Sequence, residues 1–162
     1  LREALKVLAT EGLVTMKVRR GAYVTEVNEK DLSDVYHLLS LMEADAASEV
    51  AQRASAAQLK ELEQLHRELI EAEPNRERFF EVNERFHVRL LEIADNRWRM
   101  QLVADLRKVM KLNRHNSLLK AGRVHDSLRE HQALLDALLA RDAALSGLRM
   151  REHFANGLEA AS

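Results

Sequence analysis

Four polar side chains in the C-terminal half of the chain have the chemistry of metal ligands. Asn83 and His87 are four residues apart in "FFEVNERFHVRLLEIA", and because residues at that spacing share one face of a helix, the two could bind one ion together. His131 lies in "LREHQALLDALLARD" and His153 in "LRMREHF", each within a separate helical stretch. Neutral imidazole is the commonest side-chain metal ligand in proteins. One hypothesis is therefore a divalent metal bound between three packed helices.

The same four residues can also be interpreted as separate hydrogen-bonded groups of a protein core. Each lies within an apolar stripe of its helix rather than opposite it. A buried polar group without a partner costs about 1–3 kcal/mol, so each side chain must find one. Individually satisfied core histidines are a common outcome, and spacing alone leaves both interpretations open. No role is assigned to the other histidines, which are His37, His66, His115 and His125. Of these, His66 is expected to be solvated among charged neighbours.

The composition indicates a helical protein without disulfide bonds. Its 162 residues suit one domain, or one domain with a small appendage. The 25 Lys and Arg nearly balance the 26 Asp and Glu, so the chain as a whole is not a polyelectrolyte partner for nucleic acid or membrane. Gly and Pro are scarce, and there is no Cys to form a thiolate site or a disulfide. We therefore expect a cytoplasmic protein with no membrane partner.

The periodicity of the chain divides it near residue 27. A short helix over 2–11 is followed by "LVTMKV" and "AYVTEV", which flank "RRG" in the pattern of a β-hairpin. From residue 28 onward the apolar period is helical throughout. The sequence therefore predicts a small N-terminal segment, residues 1–27, and an all-α antiparallel bundle of about six helices, residues 28–162. The predicted helices cover 28–53, 55–73, 75–94, 98–120, 123–140 and 143–159.

The individual motifs are compatible with more than one function. No nucleophile elbow, phosphate-binding loop or HExxH motif is present. A metal with an open coordination position could hydrolyse a substrate, so a metal-dependent hydrolase of helical fold is one alternative, and a metal-free, non-catalytic bundle is another. The Arg19-Arg20-Gly21 tip could contact phosphates, although hairpin tips are often basic simply because they are exposed.

Taken together, these motifs resemble the GntR family of bacterial transcription regulators, in the FadR-type branch with an all-helical FCD effector domain. "LREALKVLATEGLV" resembles the end of a winged-helix recognition helix and the first wing strand, and "RRGAYV" resembles the wing. "NERFHVRLLEIADN" is similar to the Asp/Asn-x-x-x-His motif of the effector domain. "GRVHDSLREHQALLDALLARDAALSGLRMREHF" is similar to its closing pair of helices, each of which carries a ligand histidine.

The resemblance implies a ligand-responsive DNA-binding regulator rather than an enzyme. The family's metal ligands fall on Asn83, His87, His131 and His153, and zinc, nickel or manganese is the expected ion. The DNA-contacting positions fall on Arg2, Arg20 and Gly21. A homodimer that reads operator DNA is expected from the symmetry of such regulators. Many relatives carry an effector-binding Arg at the position of Leu39, and this chain departs from them there.

Charge then indicates the class of effector. Three imidazoles and the amide of Asn83 are neutral ligands, so a bound divalent cation would keep its charge in a partly buried setting, where uncompensated charge is costly. We therefore expect a small carboxylate, such as a hydroxy acid, a sugar acid or a dicarboxylate, to complete the coordination. Helical spacing suggests that Asn113 and Ser127 line the same pocket. Because the sequence begins within the recognition helix, we expect this chain alone to bind operator DNA weakly or not at all.

Overall fold

A computed structural model describes residues 1–112 and 122–161 of the chain. In this part it consists of seven helices and one two-stranded antiparallel sheet. The elements in chain order are α1 (Arg2–Thr10), β1 (Val14–Lys17), β2 (Gly21–Val24), α2 (Glu29–Arg53), α3 (Ala56–Ala72), α4 (Arg76–Ala94), α5 (Arg97–Leu112), α6 (Arg123–Leu139) and α7 (Ala143–Ala161). The predicted all-α bundle preceded by a helix and a hairpin is therefore confirmed.

Capping residues set the starts of the long helices, as their sequence predicts. The Asn28 side chain accepts a hydrogen bond from the backbone N–H of Asp31, 2.8 Å away, and Ser55 accepts one from Gln58 at 3.1 Å. In both caps the side chain of the residue at the third helical position accepts a hydrogen bond from the backbone N–H of the capping residue. These bonds satisfy N–H groups that have no partner inside the helix, and so fix where α2 and α3 begin.

The bundle is built around α2, which packs against α4, α5 and α7. Small residues allow the close approach of α2 and α7. A Cβ on Gly147 of α7 would lie 2.6 Å from Oγ of Ser48 and 3.3 Å from the carbonyl oxygen of Ala44, so only glycine fits at this crossing. The Oγ of Ser48 also donates a hydrogen bond of 2.9 Å to the carbonyl of Ala143. The core holds the large apolar side chains of the other helices, including Phe79, Phe86, Leu90, Leu134, Leu138 and Met150.

The N-terminal helix and hairpin contribute little to this core. None of the α1 residues is buried. The two strands pair in antiparallel register, with Val14 opposite Val24. The helix ends where Gly12 adopts a φ of +74°, a conformation that glycine tolerates without strain. An ion pair of 3.0 Å between Glu11 and Lys108 joins this segment to α5.

One helix boundary bears on the site. The sequence predicts one helix over 98–120, whereas α5 is described as far as Leu112, and the rest of that prediction lies outside the described residues.

In the described ranges, no helix is both long enough and apolar enough to cross a lipid bilayer.

Candidate metal centre

Three histidines from three helices meet inside the bundle. His87 on α4, His131 on α6 and His153 on α7 each direct a ring nitrogen to one place, and these nitrogens lie within 4.8 Å of one another. The ring centroids of His131 and His153 are 4.5 Å apart, and that of His87 lies 5.3 Å and 5.2 Å from them. Residues far apart in the chain therefore form one cluster, as the metal hypothesis requires.

The hydrogen bonds of the three rings leave one nitrogen of each available. Nδ1 of His87 donates to the Glu43 carboxylate at 2.6 Å, and Nδ1 of His153 donates to Glu130 at 2.6 Å. Nδ1 of His131 donates to the backbone carbonyl of Ser127 at 2.8 Å. A neutral imidazole protonated on Nδ1 carries its lone pair on Nε2. This is the arrangement by which metal-binding histidines are oriented in proteins.

Two buried polar atoms at the cluster lack partners in the described part of the chain. They are Nε2 of His131 and Oδ1 of Asn83. An unsatisfied buried acceptor costs about 1–3 kcal/mol, and a cation between the rings would give Nε2 of His131 a partner. Asn83 lies one turn before His87 on α4 and lines the same cavity. The three imidazoles are thus arranged so that they could hold a divalent metal ion, and Asn83 borders the same space.

A buried ion pair supports His87 from the opposite side. The Glu43 side chain is fully buried, and its second oxygen accepts hydrogen bonds from Nε and Nη2 of Arg107 at 3.1 Å and 2.5 Å. Burial by itself raises the pKa of the Glu43 carboxyl, but Arg107 and His87 outweigh it and lower the pKa to about 2. Burial also lowers the pKa of His87 to about 4, helped by the positive charge of Arg107. Glu43 is thus ionised and His87 neutral at pH 7, the states that metal binding needs.

A second carboxylate supports His153 in the same way. Glu130 on α6 accepts two hydrogen bonds of 2.8 Å from Arg123 and one of 2.9 Å from Asn156. Although burial raises the pKa of Glu130, its bonds to His153 and Arg123 lower it to about 2. Burial likewise holds the pKa of His131 well below its usual range. Every ring of the cluster therefore has a fixed partner, and Glu43 and Glu130 each have their own guanidinium.

The cluster opens into a cavity of about 100 Å³. Ser127, predicted to line the effector pocket, does border this cavity and also holds His131 through its backbone carbonyl. Asn113, the other predicted pocket residue, lies outside the described residues. Leu39 is fully buried in the core, and Arg107 on α5 instead brings a guanidinium to the Glu43 carboxylate that holds His87.

The residues that orient the histidines were not predicted from the sequence. Glu43 was detectable, because it is the one carboxylate within the buried face of α2, between Leu39 and Val50. Arg107 and Glu130 gave no such signal, since charged residues on amphipathic helices usually face solvent. The expectation for His66 was wrong. Its side chain is 4% exposed, and Nε2 lies 2.8 Å from Oε1 of Gln132 on α6, because the buried face of α3 packs against that helix.

The residues predicted to contact DNA lie apart from this centre. Arg2 is exposed on α1, and Arg20 and Gly21 are exposed at the turn of the hairpin. The turn is closed by a hydrogen bond of 3.0 Å from the backbone N–H of Arg20 to the carbonyl of Lys17, and Gly21 has a φ of +98°. Arg20 and Gly21 thus remain accessible at the end of the molecule that carries the helix and hairpin.

Comparison with known proteins places this architecture among bacterial regulators. Residues 34–156 match the FCD domain family. The HTH-type transcriptional repressor RspR of Escherichia coli is 28% identical over 155 residues, covering 94% of this chain and 68% of the relative. The galactonate operon transcriptional repressor of the same organism is 27% identical, covering 88% of this chain and 71% of its own length.

Solved structures show the same fold. The structure of E. coli McbR/YncC superposes with a TM-score of 0.90 at 20% identity, covering 99% of this chain and 82% of that one. That of Streptococcus agalactiae GntR has a TM-score of 0.69 at 22% identity, covering 98% and 79%. The fold, the family match and the ordered histidine motifs agree, and the chain therefore belongs to the FCD-domain regulators of the GntR family.

Proposed function

We propose that this chain is the sensing part of a cytoplasmic, ligand-responsive transcriptional regulator, in which a bound divalent metal anchors a small carboxylate effector. Residues 28–162 are the effector-binding and dimerisation domain. Residues 1–27 are the end of a winged-helix DNA-binding domain, with Arg2, Arg20 and Gly21 directed to operator DNA. The observation that carries the proposal is the cluster of three histidines, each oriented by a hydrogen bond at Nδ1.

The metal is assigned to His87, His131, His153 and Asn83. The unpartnered Nε2 of His131 and Oδ1 of Asn83 support this assignment, because both atoms are buried. Zinc is the favoured ion, with nickel and manganese as alternatives, since availability decides among divalent ions at such sites. When bound, the metal supplies a Lewis acid for an anionic ligand. The protein supplies the fixed ring orientations and the cavity beside them.

The charges around the cavity support a carboxylate effector. The two carboxylates that orient the histidines are each balanced by a guanidinium, Glu43 by Arg107 and Glu130 by Arg123. Neither is therefore left to neutralise a metal held by four neutral ligands. An anion that enters the cavity would offset the positive charge of the metal, which is costly to leave uncompensated in a partly buried site. A bound anion thus completes both the coordination and the charge balance.

A hydrolase fits the described residues less well. A general base must lie within about 3 Å of a metal-bound water. The two carboxylates at the cluster are already engaged with a histidine and an arginine each, and their pKa values are lowered to about 2. Such carboxylates are poor bases. The relatives are named as transcriptional regulators, which also favours sensing over catalysis.

Metal analysis of the purified protein and calorimetry together test the proposal. We expect close to one divalent ion per chain by elemental analysis, and an anomalous-scattering scan will identify it. Acetate should then bind the metal-loaded protein and fail to bind the metal-stripped protein. If acetate binds both forms equally, the metal is not the anchor. If the purified protein neither contains nor takes up a divalent ion, the assignment of the four ligands is wrong.

A further inference from the structure

Helix α5 is bonded both to the histidine cluster and to the N-terminal segment, through two adjacent residues. Arg107 donates to the buried carboxylate of Glu43, which in turn holds Nδ1 of His87 at 2.6 Å. The next residue, Lys108, donates from Nζ to the Glu11 carboxylate at 3.0 Å. Adjacent residues of a helix point about 100° apart, so one side chain reaches into the bundle while the other reaches across its surface.

The position of Glu11 makes this surface ion pair a contact with the end of α1. Glu11 directly follows the last residue of α1, and its backbone N–H donates to the carbonyl of Val7 at 3.0 Å. None of the α1 residues is buried, so core packing does little to fix this helix relative to the bundle. The bond from Lys108 therefore contributes more to the placement of α1 than it would beside a buried helix.

Other contacts tie α5 to the two helices that carry the cluster and its support. Lys111, one turn beyond Arg107, lies 2.5 Å from Glu84 of α4. Glu84 follows the proposed ligand Asn83 in the chain and borders the same cavity. Near the start of α5, the largely buried Arg99 bonds two carboxylates of α2. Because α5 is one continuous helix, a shift of the turn that carries Arg107 also moves the neighbouring link to α1.

Metal binding would act on this helix through His87. An imidazole with a cation on Nε2 is a stronger donor at Nδ1 and is fixed in its orientation, so its hydrogen bond to Glu43 is strengthened. The motions of Glu43 and Arg107 are then reduced, and with them those of α5. A reduction of motion at one site can stabilise a contact at another without a change in the average structure.

We infer that α5 couples the metal centre to α1, with Arg107 as the positioning residue on the cluster side and the Lys108–Glu11 ion pair as the link. This inference rests on the proposed function, because it takes the histidine cluster as the metal centre and α1 as part of the DNA-binding domain. An ion pair at a protein surface changes an equilibrium by up to about fivefold. The link therefore adjusts the placement of α1 in graded fashion.

Amide hydrogen exchange of the chain with and without zinc tests the link. We expect saturating zinc to slow exchange in the peptide that contains α1 by about two- to fivefold, measured by mass spectrometry after millisecond labelling. Lys108→Met keeps a long side chain but removes its charge, and should abolish this slowing. Lys60→Met makes the same change at an exposed lysine of α3 and should preserve it.

A double-mutant cycle separates the ion pair from any other effect of Lys108. Glu11→Gln should also abolish the slowing, and the variant with both substitutions should behave like either single variant, because all three lack the same bond. Zinc affinity, measured by competitive titration, should change by no more than about fivefold in these variants, since coupling between two sites is reciprocal. Loss of the response in Lys108→Met but not in Glu11→Gln would overturn the inference.

The remaining outcomes separate this inference from the proposed function. If zinc binds the wild-type chain but exchange in α1 is the same with and without it, the inference is overturned and the proposed function stands. Equal slowing in the wild type and in Lys108→Met would show that the coupling follows another route, and would also overturn it. If zinc does not bind the wild-type chain, the proposed function fails and the inference with it.

Discussion

The Glu43 carboxylate and Nδ1 of His87 lie 2.6 Å apart, with both side chains almost completely shielded from solvent. This contact joins α2 to α4, and through Arg107 it continues to α5. The orientation of His87 thus depends on the negative charge of Glu43, and Arg107 on a third helix balances that charge. The histidine cluster and the packing of the bundle are consequently coupled.

Substitution of Glu43 should weaken both metal binding and stability. Glu43→Gln leaves the charge of Arg107 buried without its partner, and we expect the free energy of unfolding to fall by about 3–5 kcal/mol. Loss of the carboxylate behind His87 should lower metal affinity about 10- to 100-fold. Denaturant unfolding in a chelator and competitive metal titration measure the two effects. The control is Glu61→Gln, at a half-exposed residue that pairs with Arg89, and it should change neither the free energy of unfolding nor the metal affinity. If Glu43→Gln also left both quantities unchanged, the coupling between the cluster and the bundle would be contradicted.

Metal removal should lower the melting temperature, because a ligand that binds only the folded state stabilises it. Chelation should destabilise the wild-type protein, whereas His131→Ala should melt at the same temperature with and without chelator. His66→Ala removes another buried histidine, one that lies outside the cluster. That variant should melt lower than wild type but keep its sensitivity to chelation. An unchanged wild-type melting curve after complete metal removal would rule out a structural role for the ion.

Acidification should destabilise the metal-stripped protein between pH 6.5 and 4. The pKa of His87 is lowered to about 4 in the folded state, so over this interval the unfolded chain binds a proton that the folded chain does not. The stabilising contribution is complete above pH 6.5 and falls by about 1.4 kcal/mol per pH unit as pH drops towards 4. His131, whose pKa is also lowered by burial, acts in the same direction.

The pH effect can be assigned by comparing variants in denaturant titrations at several pH values. His87→Gln should reduce the slope of unfolding free energy against pH in this interval. The exposed His125 is the control, and His125→Gln should preserve the slope. If His87→Gln preserved it as well, the depressed pKa of His87 would not be the cause.

Replacement of Asn83 by Asp should change metal and anion affinity in opposite directions. A carboxylate ligand cancels part of the charge of the cation, so we expect Asn83→Asp to bind the metal about tenfold more tightly and acetate more weakly. Calorimetry with each ligand in turn measures both affinities. Asn75→Asp provides a control, since Asn75 caps α4 through a hydrogen bond to Arg78 and Asp caps equally well. Unchanged acetate affinity in Asn83→Asp would argue against charge as the basis of anion binding.

Dimerisation is expected to use the helical bundle. Trp98 and Leu102 lie one turn apart on α5 with exposed fractions of 67% and 57%, and large apolar side chains exposed together often mark interaction surfaces. Sedimentation at protein concentrations of about 10–50 μM should show a dimer that Leu102→Glu weakens. Leu139→Glu, at an exposed leucine on α6, should leave it intact. A monomer at every concentration would contradict the prediction.

The sequence alone determined the helices and the identity of the clustered histidines. Local signals were sufficient for the elements: Asn28 and Ser55 start α2 and α3 by capping, and Asp95 ends α4 with a φ of +53°. These signals act within a few residues of the chain. Polar side chains within apolar stripes marked the three histidines as candidates, and the resemblance to the FCD domain joined them into one site.

Only the tertiary structure decided which partners hold those histidines. Glu43 and Arg107 are 64 residues apart, and Glu130 and Asn156 are 26 apart, so no local pattern pairs them. The burial of His66 also depends on a residue distant in the chain, because its partner Gln132 lies on another helix. A charged or polar residue on a helix faces solvent or core according to which helix packs against it. That choice is made by long-range packing, and the same packing brings His87, His131 and His153 together from three helices.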